Sequence, residues 1–259
     1  MLKTLTATRY LLPLREGGSL PAIVEAEDGE LYVMKFHGAG QGPKVLLAEL
    51  IAGELGRALG LNVPELLLLE LDPAFGRAER DPEIQALLRA SSGLNLGMRY
   101  LPSAFAFNEL LVPPPDPLLA SQIVWFDAYI TNVDRTARNV NMLLWQKDLW
   151  LIDHGAALYF HYDWDDYAAR SQSNFARVKE HALLRFASQL PTADALLRPR
   201  ITPHLLQAIL ELLPAVWLAE ESRFVSPAEQ RAAYLDYLLR RLAAADTFVQ
   251  EAMDAHAAC

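Results

Sequence analysis

Three polar residues near the middle of the chain have the types and spacing to hold a metal ion: Asp134, Asn139 and Asp153, in the stretch NVDRTARNVNMLLWQKDLWLIDHG. The surrounding positions are mostly typical of a buried hairpin. Burying unpaired carboxylates is costly, so we expect these side chains to have a partner. Carboxylate and amide oxygens suit Mg²⁺, which takes one or two such groups and completes its shell with phosphates and water. The stretch therefore predicts a magnesium site.

The apolar runs 140–145 and 149–152 predict a short antiparallel hairpin. Their pairing brings Asn139, before the first strand, close to Asp153, after the second, so both are candidate Mg²⁺ ligands. Asp134 lies on the same loop and could accept a proton from a hydroxyl nucleophile, or orient it. A protein kinase places its catalytic aspartate and two metal ligands in this order. Taken alone, the same residues could also be turn formers and a strand-end cap.

A lysine inside an apolar strand adds to this pattern. Lys35 lies in YVMKF, where a buried ammonium needs an anionic partner. Nucleotide phosphates would supply one, and so would a carboxylate on the following helix, as in the kinase lysine–glutamate pair. Glu49 lies next to the apolar stripe of that helix, whereas Glu54 falls nearer the solvent-facing side. We therefore predict Glu49 as the partner; the alternative for either residue is a solvated helix glutamate.

Two glycine-containing segments are candidate phosphate loops. Gly17, Gly18 and Ser19 precede the first hairpin strand, where glycines let backbone N–H groups approach a polyphosphate, although an ordinary turn has the same sequence. The segment HGAGQGPK, 37–44, lacks the Ser or Thr that follows the lysine of a Walker A loop. We predict phosphate binding by the first segment and a mobile flap for the second.

The elements that must position these residues follow from turn and capping signals. Asp28-Gly29 predicts a β-hairpin over 22–36, and apolar spacing predicts a helix over 44–59 that ends before Gly60. Further predicted elements are strands at 65–71 and 94–101, helices opened by Asp81-Pro82 and Asp116-Pro117, a proline-rich linker up to Pro117 and a mostly helical region after Asp165. A final helix is predicted over 227–257, and we expect its apolar side to pack on the core, with dimerisation as the alternative. The predicted fold is α+β with two lobes: a small β-rich lobe with one main helix, 1–102, and a larger, mostly helical lobe with the catalytic-loop hairpin, 103–259.

Composition excludes several classes of protein. The net charge of −9 and the pI near 5.2 argue against a nucleic-acid-binding surface. Cys259 is the sole cysteine, so neither an internal disulfide nor a thiolate metal site can form, which fits a reducing cytoplasm. The N-terminus is not typical of a secretory leader, and the most apolar stretches carry Pro, Asp or Glu, so we expect no membrane span.

In order and spacing, these segments resemble the HipA-like protein kinases of bacteria, specifically the compact branch that carries the kinase domain alone. The matching segments are GGSLPAIVEAEDGELYVMKF, AELIAGELGRALGLNVP, GLNLGMRYLP, NVDRTARNVNMLL and LWLIDHG. The resemblance runs over nearly the whole chain. It implies a two-lobed kinase-like fold related to the phosphoinositide kinases, and ATP and Mg²⁺ as cofactors. Studied family members phosphorylate Ser or Thr of proteins, and some are toxins controlled by a partner protein.

The resemblance also implies roles for the site residues. Lys35 and Gly17 to Ser19 would contact the ATP phosphates, and Asp134 would be catalytic. Asn139 and Asp153 would hold Mg²⁺, and Glu49 would pair with Lys35. Strand 94–100, with Met98 and Tyr100, would be the hinge that contacts adenine.

Two departures from the family pattern leave other functions open. Thr136 stands where a His commonly follows the catalytic Asp by two positions, and His154 replaces the Phe of the protein-kinase DFG motif. A catalytically inert module that binds nucleotide or a partner protein is therefore one alternative. A small-molecule kinase for an antibiotic or a sugar is another, because an acidic surface near the cleft would suit cationic substrates.

The segment FHYDWDDY, after the predicted metal aspartate, carries His161, Asp163, Asp165 and Asp166. It could be part of an activation segment or a second metal site. We predict the simpler alternative, a solvated acidic loop.

Overall fold

The N-terminal strands form a closed barrel in the computed structural model, which describes residues 2–14, 20–40, 42–77, 79–108 and 114–259. The strands are β1 (Thr4–Pro13), β2 (Ala22–Ala26), β3 (Leu31–Lys35), β4 (Leu66–Leu71) and β5 (Gly93–Arg99). Their order is β1-β2-β3-β5-β4, and β1 closes the barrel by pairing in parallel with β4. Closure pairs strand edges that would otherwise be exposed.

The predicted hairpin is confirmed as β2 and β3. Gly29 has a φ of 78°, as the tight turn between the two strands requires. Along both strands every second side chain points into the barrel, so Val24, Tyr32 and Met34 are buried there with Leu67. Lys35, the last residue of β3, is buried as well, and the carboxylates that it contacts lie outside the barrel strands.

Two helices connect the barrel strands. Helix α1 (Pro43–Ala58) follows β3, and Gly60 has a φ of 86° just beyond its end. Helix α2 (Pro82–Ala90) begins as predicted at Asp81, whose carboxylate accepts hydrogen bonds from the N–H groups of Glu83 and Ile84.

Strand β1 is the main element that the sequence prediction missed. No strand was predicted over these residues, whose apolar positions do not alternate regularly; in the structure only Leu5 and Ala7 of the strand are buried. Its register with β2 also shifts twice, between Ala7 and Arg9 and between Tyr10 and Leu12. Such irregularities weaken the period-two signal from which a strand is predicted.

The C-terminal part contains a small sheet followed by helices. The sheet consists of β6 (Phe105–Ala106), β7 (Met142–Trp145) and β8 (Asp148–Leu151), in that order. Strands β7 and β8 are the predicted hairpin; β6 was not predicted. The helices are α3 (Pro117–Tyr129), α4 (Tyr167–Arg170), α5 (Leu190–Leu197), α6 (Pro203–Leu210), α7 (Ala215–Leu218), α8 (Pro227–Ala243) and α9 (Ala245–Ala257).

The prediction of a single final helix over 227–257 is wrong, because the chain breaks at Ala244 into α8 and α9. The break lets α8 pack on α6 while α9 packs on α3. Phe248 of α9 thereby contacts the rings of Trp125 and Tyr129. Neither Gly nor Pro marks the break, so this tertiary packing left no local signal.

The predicted α+β class is confirmed, since the strands of the barrel precede a mostly helical part. One hydrophobic core fills the barrel, and a larger one combines α1 with α3, α5 and the last helices. The proposed lobe boundary at residue 102 stays a prediction. Among the described residues, no helix is long and apolar enough to cross a membrane.

Candidate active site

Lys35 is held between two carboxylates at the end of β3. Its Nζ lies 2.7 Å from Oε2 of Glu49 and 2.6 Å from Oδ1 of Asp153. The side chain of Lys35 is 7% exposed and that of Glu49 only 1%. Burial alone would lower the pKa of Lys35, but the charges of Glu49 and then Asp153 outweigh it and raise the pKa. The lysine therefore stays protonated at neutral pH.

The structure brings Glu49, and not Glu54, to the lysine, as the helix-phase argument predicted. Burial would raise the pKa of Glu49, but Lys35 and then His154 hold it below its ordinary value. Glu54 lies on another side of α1, where its Oε1 is 3.4 Å from Nε of Arg57. The two glutamates thus provide a matched pair, one inside the cleft and one outside it.

The three polar residues of the central stretch line a cleft, so the premise that they are deeply buried is wrong. Asn139 is exposed, Asp134 is partly exposed and the side chain of Asp153 is 47% exposed. The Asn139 amide donates a 2.7 Å hydrogen bond to Oδ2 of Asp134, and the Asn141 amide donates to the same oxygen at 3.3 Å. The residues lie at the mouth of the hairpin, where solvent reaches them.

A buried ionic cluster that the sequence reasoning missed supports the loop from beneath. Arg135 and Asp127 are fully buried, and Nε of Arg135 donates to Oδ2 of Asp127 at 2.6 Å. The same carboxylate accepts hydrogen bonds from Asn132 at 3.0 Å and from Nε2 of His181 at 2.9 Å. Because Nδ1 of His181 accepts from the N–H of Leu183, its Nε2 carries the proton.

The guanidinium of Arg135 also joins the two ends of the hairpin. Its Nη1 donates to the carbonyl of Asn141, and to that of Ile152 at 3.2 Å. One side chain thereby fixes the loop of Asp134 relative to Asp153. The signal that could have revealed the cluster was Asp127 within the apolar run VWFDAYI, the same pattern that identified Lys35.

The first of three neighbouring cavities has a volume of about 550 Å³ and lies under the barrel. Lys35, Asn139 and Asp153 line it, and so do Met98 and Tyr100, the predicted hinge residues. The predicted phosphate-loop residues Gly17, Gly18 and Ser19 lie outside the described residues; their neighbours Leu14 and Pro21 line this cavity. The cavity thus combines apolar walls with a few polar and charged groups, which is typical of a small-molecule site.

A second cavity shares Lys35 and Asp153 with the first, and a third shares Asp134 with the second. One, of about 400 Å³, is lined by Lys35, Asp134 and Asp153 and by parts of the glycine-rich segment 37–44. The other, of about 700 Å³, contains Asp134 but neither Lys35 nor Asp153. Asp134 therefore lies between the second and third cavities, on the far side of Asp153 from the hinge. The predicted mobility of the segment 37–44 stays a prediction.

The donor set of the first cavity fits a hard divalent cation. Asp153 offers a carboxylate, and Asn139 uses its amide nitrogen on Asp134, which leaves its carbonyl oxygen to act as a ligand. Such a set of few oxygen ligands suits Mg²⁺ that also binds phosphates and water. Among the described residues no group of three or more His, Cys, Asp or Glu side chains could hold a metal alone.

Both departures from the family pattern have structural roles. The Thr136 hydroxyl accepts a hydrogen bond from the N–H of Asn139 at 3.3 Å, and Thr136 pairs with His181 in an isolated β-bridge. His154 is fully buried, with its ring edge against Phe126 and its Nδ1 3.7 Å from Glu49. Neither residue displaces the groups of the cleft.

The acidic segment after Asp153 does not form a second metal site. His161 is buried, its Nδ1 is 2.9 Å from the Tyr234 hydroxyl, and burial followed by the charge of Lys44 lowers its pKa to about 3. Asp163 pairs with an arginine of α4, and Asp165 lies 2.7 Å from Arg223. The segment is thus a buried histidine followed by surface ion pairs, close to the predicted solvated loop.

Comparison with known proteins identifies the same family as the sequence motifs. The model of the HipA-like kinase family matches residues 9–252. The proinflammatory kinase CtkA of Helicobacter pylori superimposes with a TM-score of 0.59 at 14% identity, over 97% of this chain and 98% of that one. The Golgi casein kinase with Mn/ADP bound gives a TM-score of 0.51 at 13% identity, over 99% and 74%. No curated protein matches the chain in sequence.

Proposed function

Since the chain belongs to the HipA-like kinase family, we propose that it transfers the γ-phosphoryl group of ATP, with Mg²⁺, to a Ser or Thr hydroxyl of a protein. The observation that carries the proposal is the position of Lys35 between Glu49 and Asp153, in a cavity that the predicted hinge residues also line. The ADP and Mn named for the Golgi casein kinase structure support nucleotide and divalent-metal use by this fold.

Each side chain of the cleft has a role in this reaction. Lys35 exchanges its contact with Asp153 for phosphate oxygens and keeps Glu49, which fixes its position and charge. Asn139 and Asp153 would hold the metal, which when bound would neutralise phosphate charge. Asp134 orients the acceptor hydroxyl for in-line attack and accepts its proton as the new O–P bond forms and the bond to the leaving ADP breaks. Catalysis rests on positioning and charge neutralisation, with no covalent intermediate.

The alternative functions receive less support from the cleft. An inert module is motivated by Thr136 and His154, but the groups for transfer are present beside them. A small-molecule kinase for cationic substrates was expected to have an acidic surface near the cleft, whereas the lining around Asp134 is mostly basic. A cytoplasmic location, the absence of nucleic-acid binding and control by a partner protein stay predictions.

Thermal unfolding with and without ligand tests the proposal. We expect ATP with Mg²⁺ to stabilise the protein by about 2.7 kcal/mol at a hundred times its dissociation constant. Asp153→Ala should lose the Mg²⁺-dependent part of the shift. Asp148→Ala, at the exposed far end of the same hairpin, is the matched control and should keep it.

Phosphate transfer is then measured with labelled ATP and a set of protein acceptors. Asp134→Asn should abolish transfer while nucleotide binding remains, because Asp134 lines the cavities beyond Asp153 and not the nucleotide cavity. Unchanged turnover in Asp134→Asn would remove that residue's role. Absence of any nucleotide-dependent stabilisation would favour the inert module.

A further inference from the structure

The cavity of about 700 Å³ beside Asp134 is lined by more basic than acidic side chains, the reverse of the balance in the whole chain. The whole chain has 32 acidic and 23 basic residues. The charged side chains that line this cavity are Arg138, Arg177, Lys179 and Arg185 against Asp134 and Glu180, and Cys259, which carries the terminal carboxylate, lines it as well. The excess of cations is therefore local and adjoins the predicted catalytic aspartate.

Part of this charge is not neutralised by the protein itself. Within the described part of the chain, Arg138 and Lys179 are exposed and form no ion pair. Arg177 does pair with Glu180, at 3.2 Å, but these side chains are 57% and 46% exposed, so solvent screens the interaction. Clustered like charges repel one another and attract an anionic partner.

The cationic residues are held in fixed positions relative to the transfer site. Arg138 belongs to the loop between Asp134 and Asn139. Arg177 and Lys179 lie on a 3₁₀ turn, Ala176–Glu180, that leads directly into His181. His181 is bound to the buried carboxylate of Asp127. The same buried cluster that supports the catalytic loop therefore anchors the basic turn beside it.

The basic surface is also continuous with the cleft. Arg177 lines both the cavity of about 700 Å³ and the cavity of about 400 Å³, which contains Asp134, Asp153 and Lys35. A chain lying along Arg138 and Lys179 would thus bring a hydroxyl to Asp134 from the side opposite the hinge. Arg138, Lys179 and Arg185 line neither of the two cavities that contain Lys35, the proposed phosphate ligand, so nucleotide phosphates do not account for these three cations.

We propose that this surface, Arg138, Arg177, Lys179 and Arg185, binds an acidic peptide segment, in which Asp or Glu residues flank the Ser or Thr that receives phosphate. The description of the segment as an acceptor rests on the proposed function; its binding does not. Attraction between the segment and the surface sets substrate choice by electrostatic complementarity. It also steers the segment to a protein whose net charge would otherwise repel it.

Peptide binding tests the proposal independently of catalysis. Fluorescence anisotropy measures the affinity of two peptides. In the acidic peptide one Ser is flanked by four Glu residues, and in the neutral peptide the four Glu residues are replaced by Gln. The acidic peptide should bind about tenfold more tightly at low salt, and the difference should shrink as salt is added. The double variant Arg138→Glu/Lys179→Glu should lose the preference.

Two matched variants separate charge from structure. Arg138→Lys/Lys179→Arg keeps the charges and should keep the preference for the acidic peptide. Arg89→Glu reverses one exposed charge on α2, away from all three cavities, and should also keep it. Equal binding of the two peptides by the wild type would overturn the proposal. Equally tight binding of an oligonucleotide of the same charge would also overturn the proposal, because the surface would then bind any polyanion and would not be specific for a peptide.

Transfer measured on the same peptides distinguishes the two proposals. If phosphate reaches both peptides with equal kcat/KM, the phosphotransferase function stands and the acidic preference is wrong. If the acidic peptide binds preferentially, but neither it nor any other acceptor receives phosphate, the proposed peptide-binding surface is supported and the proposed phosphotransferase function is wrong.

Discussion

Replacing Asp127 by Asn tests whether the buried cluster determines the geometry of the candidate active site. The carboxylate of Asp127 is fully buried and accepts hydrogen bonds from Arg135, His181 and Asn132. The substitution would leave the Arg135 guanidinium buried without its counter-charge. Removing one partner of a buried ion pair destabilises proteins by about 3 to 5 kcal/mol. We expect a loss of about 3 kcal/mol here, at the lower end of that range, because the amide keeps one acceptor oxygen.

Urea unfolding at pH 7 measures this loss, with Glu25→Gln as the control. Glu25 forms an exposed pair with Arg9, at 2.8 Å, and such pairs contribute about 1 kcal/mol or less. A double-mutant cycle with Arg135→Met isolates the interaction of the two side chains. If Asp127→Asn lowers the free energy of unfolding no more than Glu25→Gln does, the cluster does not hold the loop as argued.

The pH dependence of this difference has a definite sign. Burial alone would raise the pKa of Asp127, but Arg135 and then His181 outweigh burial and lower it. The stabilisation by the ionised carboxylate is therefore complete above the ordinary pKa of 3.8 and is lost as the pH falls through the lower, folded-state value. The difference in free energy of unfolding between wild type and Asp127→Asn should stay constant from pH 7 to about pH 5 and decrease below pH 3.8.

Two further substitutions probe the cleft and the core. Glu49→Gln should lower kcat/KM for ATP about tenfold or more, because Lys35 loses a charged hydrogen-bond partner. The control Glu54→Gln, on the same helix, should change kcat/KM little. Equal effects of the two substitutions in a steady-state assay would contradict the pairing of Glu49 with Lys35. His161 is buried neutral with a pKa of about 3, so the free energy of unfolding should fall by up to about 1.4 kcal/mol per pH unit as the pH drops from 6.5 towards 3. His161→Gln should make the free energy of unfolding, measured by urea titration at several pH values, depend less steeply on pH. The same pH dependence in His161→Gln as in the wild type would refute the role of His161.

The elements that could be predicted from sequence are those with a local physical signal. Asp28-Gly29 formed its hairpin turn and Asp81 capped its helix, because each residue acts on backbone within a few positions. Glu49 was chosen over Glu54 by helix phase alone. Lys35 was identified because one charge in an apolar strand requires a partner.

The features that were missed depend on residues far apart in the sequence. Strand β1 is completed by its parallel pairing with β4, more than fifty residues later, and no local pattern encodes such a contact. The cluster of Asp127, Arg135 and His181 joins three segments through one carboxylate. The exposure of Asn139 was also missed, because an apolar neighbourhood does not show which side of a hairpin faces the cleft.

In the candidate site, the groups proposed to react are partly exposed to solvent, whereas the residues that position them are buried in the core. Asp134 and Asp153 are partly exposed, as groups that must meet phosphate and acceptor need to be. Their separation is nevertheless fixed from within, because Arg135 follows Asp134 directly and donates to the carbonyl of Ile152, directly before Asp153. Loss of Asp127 should therefore lower kcat more than it raises KM for ATP, since Lys35 and the hinge lie outside the cluster. A change confined to KM for ATP would place the role of the cluster in nucleotide binding, against the geometry described above.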